Sequence, residues 1–309
     1  MRQQIAWMKG MPSPNRVGSS IWKYIGILIR AHKREILIKN IYCKYSNTLL
    51  CSIVNQYIND YNKSVKTDNI DSKNYQEIDL TGGRGAMELL TLPLITVNEI
   101  KIDIYSYFRE HFFKKMSFYL GSEITKRNFV IPENWKKRIC VHLRLDDCVH
   151  GQHSIDYDGR TSHNFFVDKI NNNDNKWNWD GDYEEYFKKN NIKMIGRGKS
   201  TYQSPIPYDR LEQLIGGLKK EYTNHEIIII ASPIGGEIPL KYKHIRSNDP
   251  DLDLFYMIYS DVLVCSRSTF SMVAAFFHQG SKIITPKWGY SGASGLGSNH
   301  DKSGIIFYY

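Results

Sequence analysis

The chain has 309 residues, 41% of them hydrophobic, and a formal net charge of +9. This composition predicts a globular protein with a sizeable core and excludes a collagen-like, coiled-coil or disordered chain. The basic balance favours an anionic partner, a class that includes phosphate, nucleic acid and an acidic membrane. The five cysteines form no C-x-x-C pair, so we expect reduced thiols, with neither a disulfide framework nor a structural zinc site.

The N-terminal segment predicts a strand, a helix and a second strand. Residues 4–8 form the first predicted strand, and apolar residues recur at helical spacing over residues 21–28, with Ser19 or Ser20 as the N-cap. The apolar run 36–38 is typical of a buried strand in a parallel sheet. This part of the chain is therefore predicted to be an α/β unit.

The apolar stretch 21–29 bears on the compartment. It is interrupted by Lys23 and closed by Arg30, which makes it too short and too charged for a membrane span or a signal peptide. We therefore expect a cytoplasmic protein without a membrane span.

The middle of the chain gives less regular patterns. Residues 61–76 are polar and loop-like, and the glycine-rich residues 81–85 indicate a turn. Aromatic residues at helical spacing predict one long helix within residues 97–120, with most of these rings in the core.

A polar stretch with a proline, residues 125–137, indicates a domain boundary. We therefore predict an N-terminal domain of residues 1–134 and a C-terminal domain of residues 135–309, both Rossmann-like. The polar segment 148–204 is too long for a simple connector, which favours a functional or mobile segment. The rest of the second domain alternates between strands and helices, as expected of a doubly wound nucleotide-binding lobe. Its predicted strands are 139–145, 226–231, 261–265 and 282–285, and its predicted helices are 208–221, 251–259 and 269–278.

Three segments place polar residues where a strand ends or a helix begins, which is where open α/β sheets bind ligands. In the first segment, Asn15, Arg16 and Gly18 stand at the start of the first predicted helix. Free N–H groups, a guanidinium and a glycine that permits close approach suit an anion. An ordinary capped helix explains the same residues.

The second segment follows the predicted strand 139–145. Alternation places His142, Arg144 and Asp146 on one face, and an apolar strand seldom buries an arginine without a partner. The Arg144 guanidinium can clamp a diphosphate with two hydrogen bonds and stabilise the charge that grows on it as it leaves. The alternative is a structural ion pair between Arg144 and Asp147.

The third segment lies between a predicted strand and the helix that follows it. The hydroxyl groups of Ser266, Ser268 and Thr269, with the N–H groups of the first helical turn, form an anion-binding terminus. Arg267 adds positive charge, and Phe270 belongs to the same turn. A plain helix N-cap is the alternative. Together with the arginine of the second segment, the third segment predicts a diphosphate pocket.

The second and third segments give the chain a resemblance to a known family. His142, Arg144 and Asp147 match an H-x-R-R-x-D-like strand end, and residues 268–275 are similar to an S-F-S-x-x-A-A element. The sequence D-L-F-Y-M at 253–257 resembles the segment that precedes that element. These motifs are those of the fucosyltransferase superfamily, which includes the α-1,2-, α-1,6- and protein O-fucosyltransferases.

The sequence departs from the family pattern at two places. Leu145 stands where the family has a second arginine, which leaves one guanidinium at the strand end. Residues 15–26 resemble the N-terminal loop and helix of the family but lack its doubled glycine and its Asn-Gln pair. The subfamily and the donor sugar are therefore left open.

The resemblance implies a GT-B fold, in which two Rossmann-like lobes face each other across a cleft. It implies an inverting glycosyltransferase that needs no metal or cofactor and moves a sugar from a nucleotide donor onto a glycan hydroxyl. Fucose from GDP-fucose is the first candidate. The C-terminal domain would hold the GDP-sugar and the N-terminal domain would shape the acceptor site. Arg144 would bind the β-phosphate, Ser268 and Thr269 the other oxygens, and Asp147 would orient Arg144. The donor site so implied comprises Asn15, Arg16, Gly18, His142, Arg144, Ser266, Arg267, Ser268, Thr269 and Phe270.

The catalytic base and the acceptor site have several candidates. Asp147, His150 and Asp156 lie just beyond the strand end, although an ordinary loop histidine is the favoured interpretation of His150. Trp177 and Trp179 can stack on the C–H faces of an acceptor sugar. The same two rings can instead anchor a loop.

Two other functions fit parts of the sequence. In a metal-dependent GT-A transferase, Asp180 and Asp182 would supply the carboxylate pair for a Mn²⁺ diphosphate complex, although D-x-D also occurs at 156–158 and 251–253. A nucleic-acid-binding protein would explain the net charge and the many aromatic residues. The basic residues are spread along the chain and form no stripe, which favours a solvated surface and no nucleic-acid partner.

Overall fold

The contacts of the chain divide it into two compact units, Met1–Val130 and Ile131–Tyr309, where the sequence predicts a boundary after residue 134. Each unit combines helices with a parallel sheet, so the fold class is α/β. No helix in the described ranges is long and apolar enough to cross a membrane. A computed structural model describes residues 4–7, 17–34, 37–39, 48–64, 76–79, 94–97, 100–145, 185, 188–189, 205–233, 237–286 and 306–308.

The described strands of the N-terminal unit form two groups. β1 (Gln4–Trp7) lies between β2 (Leu37–Lys39) and β3 (Gln76–Asp79), and both neighbours run parallel to it. β4 (Leu94–Val97) and β5 (Ile100–Asp103) form a separate antiparallel pair. The parallel pairing of β1 and β2 confirms the predicted N-terminal α/β unit.

Helices form the buried core of this unit. They are α1 (Val17–Arg34), α2 (Leu49–Ser64), α3 (Ile104–His111) and α4 (Phe113–Lys126). α2 packs against α1 and α4, and α3 also packs against α1 and α4. α2 buries apolar side chains at helical spacing, including Ile53, Val54 and Tyr57, so the stripe that faces its neighbours holds it in place.

Sequence patterns are misleading at both ends of this helical core. α1 begins at Val17, so Ser19 and Ser20 lie inside the helix and neither is its N-cap. The single long helix predicted within 97–120 is wrong, because two helices, α3 and α4, meet there at Phe112. The first residues of the range belong to β4 and β5. β-Branched residues are frequent in both strands, which favours strands over a helix. Likewise, α2 extends over the first four residues of the predicted loop 61–76.

The described strands of the C-terminal unit form a six-stranded parallel sheet. Its strands are β6 (Arg138–Leu143), β7 (Glu226–Ala231), β8 (Lys243–Ile245), β9 (Val262–Val264), β10 (Lys282–Thr285) and β11 (Ile306–Tyr308). They lie in the order β8-β7-β6-β9-β10-β11, which is the 3-2-1-4-5-6 order of dinucleotide-binding sheets. The order reverses between β6 and β9, so this pair forms the topological switch point.

The helices of this unit confirm the alternation predicted from the sequence. α5 (Tyr208–Glu221) precedes β7, α6 (Pro250–Ile258) precedes β9, and α7 (Thr269–Phe277) follows β9. Asp249 caps α6, because its carboxylate accepts hydrogen bonds from two backbone N–H groups of the first turn.

The two faces of the sheet bury different residues. On one face, Ile139 and Val141 join Ile215 of α5 in an apolar cluster. On the other face, burial, reinforced by the nearby carboxylate of Asp253 on α6, raises the pKa of the Cys140 thiol. Because side chains alternate along a strand, the residues after Cys140 at even positions also face α6 and α7. Cys51, Cys140 and Cys265 are buried free thiols, which confirms the predicted reduced state for these three.

Asp261 ties together the amino ends of four strands. Its backbone N–H donates to the carbonyl of Arg138 at 3.0 Å. Its carboxylate accepts hydrogen bonds from His225 Nε2 at 2.8 Å and from the Ser281 N–H at 3.2 Å. Burial acts to raise the pKa of Asp261, but the hydrogen bonds from Ser281 and His225 outweigh it and hold that pKa below its ordinary value. The amino edge of the sheet is therefore a structural edge.

The backbone at Gly280 packs directly against the backbone of Ser260 and Asp261. A Cβ atom at position 280 would lie 2.2 Å from the carbonyl oxygen of Ser260 and 2.3 Å from that of Asp261. Gly280→Ala should therefore destabilise the protein by about 1–3 kcal/mol, the cost of overpacking, and lower its thermal midpoint by several degrees. Gly216→Ala in α5 is the matched control. A Cβ there meets nothing within 4 Å, and alanine favours a helix, so we expect equal or slightly higher stability. Equal losses in the two variants would contradict the close contact.

Candidate functional site

The carboxyl ends of β6 and β9 meet at the switch point of the C-terminal sheet. The two strands pair in parallel, with Cys140 beside Leu263 and Val141 beside Val264. Residues 142–145 and 265–268, which follow these positions, therefore lie at the same edge of the sheet. Ligands of open α/β sheets bind in the crevice at this edge.

His142 joins the two strand ends. It is buried, with 8% of its surface exposed, and its Nδ1 lies 2.7 Å from Ser266 Oγ. Burial, reinforced by the neighbouring Arg144, lowers the pKa of His142 to about 3. The imidazole is therefore neutral at physiological pH. Its hydrogen bond fixes the Ser266 side chain and adds no charge to the crevice.

Arg144 and Ser268 form the second link between the strand ends. Arg144 Nη1 donates to Ser268 Oγ at 3.2 Å, and the backbone N–H of Phe270 donates to the same oxygen at 3.2 Å. A serine hydroxyl has two acceptor positions and one proton. Both acceptor positions of Ser268 are used, and no acceptor among the described residues takes its proton. Ser268 is 2% exposed, so its hydroxyl proton can be donated only to a group that lies directly against the turn.

A tight turn carries these serines from β9 into α7. The backbone N–H of Ser268 donates to the carbonyl of Ser266 at 2.7 Å. Arg267, between them, is 1% exposed, so the turn also buries a guanidinium. The N-terminus of α7 follows directly and adds the positive end of a helix dipole. The turn therefore favours an anion.

Leu145 occupies the place of the second arginine in the resembled family pattern. Its side chain is 1% exposed and belongs to the apolar cluster on the α5 face of the sheet. A guanidinium at this position would have to be buried among apolar side chains, which is costly without a partner. The structure thus gives a physical reason for leucine at position 145.

Asp253 is a buried carboxylate on the first turns of α6. It is 8% exposed, and its Oδ1 has no hydrogen-bond partner among the described residues. Burial, reinforced by the neighbouring Asp249 carboxylate, raises the pKa of Asp253 to about 7. The sequence marked Asp253 as part of the D-L-F-Y-M segment and of the D-x-D pattern at 251–253. It did not show that the carboxylate is buried, because burial depends on how α6 lies against the sheet.

The structure brings together the predicted donor-site residues of the second and third segments. Arg144 contacts Ser268, and His142 contacts Ser266. The centroid of the His142 ring lies 5.7 Å from that of the Phe270 ring. Arg267 and Thr269 flank Ser268 in the chain. Gly18 is buried near the start of α1 in the N-terminal unit. The remaining candidates lie outside the described residues; they are Asn15, Arg16, Asp147, His150, Asp156, Trp177, Trp179, Asp180 and Asp182.

Two alternatives therefore stay open. The ion pair between Arg144 and Asp147 and the carboxylate pair of a GT-A site both involve residues beyond the described ranges. Within those ranges, no group of three histidine, cysteine, aspartate or glutamate side chains is placed to hold a metal ion. Comparison with protein-family models, curated proteins and solved structures finds no match to this chain.

Ser271 ends the third predicted segment and belongs to the element 268–275, but the sequence assigns it no role in the donor site. It is fully buried, and its hydroxyl contacts the backbone of the turn at Ser266 and Ser268. The sequence does not reveal these contacts, because a serine three residues after an N-cap is a common helix residue.

The raised pKa of Asp253 predicts a pH dependence of stability. The folded protein holds the Asp253 proton up to about pH 7, whereas an unfolded aspartate releases it near 3.8. The folded state thus binds more protons between these values, so this group makes stability fall as the pH rises from about 4 to about 7. Asp253→Asn removes the titration and keeps the shape. As the pH rises from about 4 to about 7, we expect the unfolding free energy of Asp253→Asn to increase relative to that of wild type. Above about pH 7, the difference between the two unfolding free energies should stay constant.

Urea denaturation at several pH values between 4 and 9 measures this difference. Glu212→Gln, on the exposed surface of α5, controls for the loss of one negative charge. An Asp253→Asn difference that does not change with pH would show that the carboxylate is ionised throughout.

Proposed function

We propose that the protein is an inverting glycosyltransferase that uses a nucleoside-diphosphate sugar, with GDP-fucose as the first candidate donor and a glycan hydroxyl as acceptor. The observation that supports this proposal best is the hydrogen bond between Arg144 and Ser268 at the switch point. It gathers a guanidinium, a hydroxyl with a proton to donate and a helix N-terminus in one crevice. These groups suit a diphosphate.

The chemistry of an inverting transfer explains why such groups are needed. The bond between the anomeric carbon and the β-phosphate oxygen breaks through an oxocarbenium-like state, so negative charge grows on the departing diphosphate. Donors fixed in place before the reaction stabilise that charge without reorganisation. Arg144 would bind the β-phosphate, and the Ser268 hydroxyl would donate to a second oxygen.

The neutral state of His142 fits a structural role beside Arg144 and Ser268, the two proposed phosphate-binding residues. Because burial and the Arg144 charge hold the pKa of His142 at about 3, the imidazole is neutral and adds no second charge beside Arg144. It instead holds Ser266, and with it the start of the turn, through one hydrogen bond. We propose that His142 shapes the donor site and takes no proton during the reaction.

The remaining parts of the proposal rest on the family resemblance. We propose that the N-terminal unit shapes the acceptor site and that the two units form a GT-B enzyme. Asp147, His150 and Asp156 are the proposed candidates for the base that takes the acceptor proton. Trp177 and Trp179 are the proposed acceptor-stacking residues.

The proposed donor predicts selective binding of GDP. In a thermal-shift assay with GDP, UDP, CMP and NAD⁺ at equal concentration, GDP should raise the thermal midpoint most, since a ligand that binds only the folded state stabilises it by mass action. Equal shifts with GDP and UDP would mean that only the diphosphate is recognised. A shift with NAD⁺ alone would instead favour a dinucleotide-dependent enzyme, which the strand order also permits.

Arg144 is the most direct test of the proposed chemistry. Arg144→Ala should lower the transfer rate by at least about a hundredfold, since one lost donor to a growing anion costs about 3 kcal/mol. Arg144→Lys should fail similarly, because an ammonium group cannot reproduce the planar fork of a guanidinium. Leu145 offers no second cation that compensates.

Arg138→Lys supplies the matched control for these variants. Arg138 begins the same strand at the opposite edge of the sheet, where its Nε lies 3.5 Å from Glu226 Oε2. We expect it to keep nearly full turnover. A folded Arg144→Ala protein that keeps more than about a tenth of wild-type turnover would contradict the proposal, because a factor of ten is only about 1.4 kcal/mol.

A further inference from the structure

Ser271 makes an unusual set of backbone contacts. The backbone N–H of Ser266 donates to Ser271 Oγ at 3.2 Å. The same oxygen lies 3.3 Å from the carbonyl oxygen of Ser266 and 3.2 Å from that of Ser268. Because a hydroxyl has one proton, it donates to one of these carbonyls at a time and accepts from the Ser266 N–H throughout. One side chain thus holds both ends of the turn between β9 and α7.

These contacts go beyond what a serine in a first helical turn ordinarily makes. A bond from a hydroxyl to the carbonyl three residues earlier is common in helices. The contact with the Ser266 N–H is different, because it reaches back past the N-cap to the end of β9. Ser266 is 3% exposed, so its N–H has little access to water if this acceptor is lost. The turn would then have to move to satisfy that group.

The turn that Ser271 holds carries two links to β6. Ser266 Oγ meets His142 Nδ1 at 2.7 Å, and Ser268 Oγ accepts from Arg144 Nη1 at 3.2 Å. Ser271 itself is fully buried, so it cannot touch a ligand in the crevice. Any effect of Ser271 on ligand binding must therefore pass through the turn.

We propose that Ser271 is a positioning residue for the diphosphate of the donor. Its hydroxyl fixes the backbone of the Ser266–Ser268 turn so that the Ser268 hydroxyl and the Arg144 guanidinium point at the same anion. This inference rests on the proposed function, because it assigns Ser271 to the diphosphate part of that donor site.

The test compares Ser271→Ala with Ser260→Ala. Ser260 is also a buried serine of this unit, 1% exposed, and its hydroxyl donates to the Met257 carbonyl three residues earlier at 3.0 Å. It lies at the opposite end of β9, away from the crevice. The two variants therefore lose the same kind of buried hydroxyl, but only one of the two hydroxyls holds the turn.

Isothermal titration with GDP and with inorganic pyrophosphate, together with thermal midpoints, gives the readout. We expect both variants to lose a similar amount of thermal stability. Only Ser271→Ala should bind each ligand at least about tenfold more weakly, the scale expected when binding groups are displaced by a fraction of an ångström. Equal affinity in wild type and Ser271→Ala would overturn the inference. A similar loss of affinity in Ser260→Ala would also overturn it, because a general loss of stability would then explain the result.

Conservative variants keep the test decisive if Ser271→Ala does not fold. Both conservative variants enlarge the side chain slightly. Ser271→Thr retains the hydroxyl, whereas Ser271→Cys replaces it with a sulfur that accepts hydrogen bonds poorly. We expect Ser271→Thr to bind pyrophosphate within about threefold of wild type and Ser271→Cys to bind it clearly more weakly. Equal affinities in these two variants would overturn the inference.

The same titrations separate this inference from the proposed function. Wild-type protein that binds neither GDP nor pyrophosphate would overturn the proposed donor site as a whole, and the positioning of its diphosphate with it. Wild-type protein that binds both ligands, and loses them in Arg144→Ala but not in Ser271→Ala, would leave the proposed function standing and remove only the role of Ser271.

Discussion

The parallel pairing of β6 with β9 is the constraint on which the candidate site depends. The register of this pair sets the contacts at the strand ends. Val141 lies beside Val264, so His142 and the residues after it lie next to the turn that leaves β9. A slip of one residue would turn the even-numbered side chains into the apolar cluster with α5. Ile139 and Val141 are buried in that cluster, so hydrophobic packing specifies the register. The core of the unit thereby decides which polar groups meet in the crevice.

The amino edge and the carboxyl edge of the C-terminal sheet differ in the kind of hydrogen bonds that they contain. At the amino edge, Asp261 and Gly280 bring backbone segments so close together that little movement is possible. At the carboxyl edge, the hydrogen bonds run between side chains of different strands and leave a proton of Ser268 without an acceptor among the described residues. The closely packed amino edge thus lies opposite a carboxyl edge that has unused hydrogen-bonding capacity, an arrangement suited to holding candidate binding groups in place.

Much of the C-terminal unit was predictable from the sequence, because its strands are short apolar runs and its helices carry regular stripes. The pairing of Arg144 with the serine turn also followed from sequence, since strand ends of one parallel sheet meet at one edge. Other features depend on tertiary structure. The β4–β5 pair lies where helical and strand periodicities overlap, and the roles of Asp253 and Ser271 depend on burial, which single residues do not reveal. The 3-2-1-4-5-6 order required knowing which strands are neighbours.

The single oxygen of Ser268 serves two purposes, and this limits how the position can evolve. As an N-cap, it accepts from the Phe270 N–H, and as part of the crevice it accepts from Arg144. Aspartate caps helices as well as serine does, so helix stability alone would permit it. An aspartate would neutralise Arg144, repel a phosphate and have no proton to give. Lineages that keep the proposed anion site are thus restricted to hydroxyl side chains at this position, whereas a lineage that acquires aspartate would keep the helix cap and lose that site.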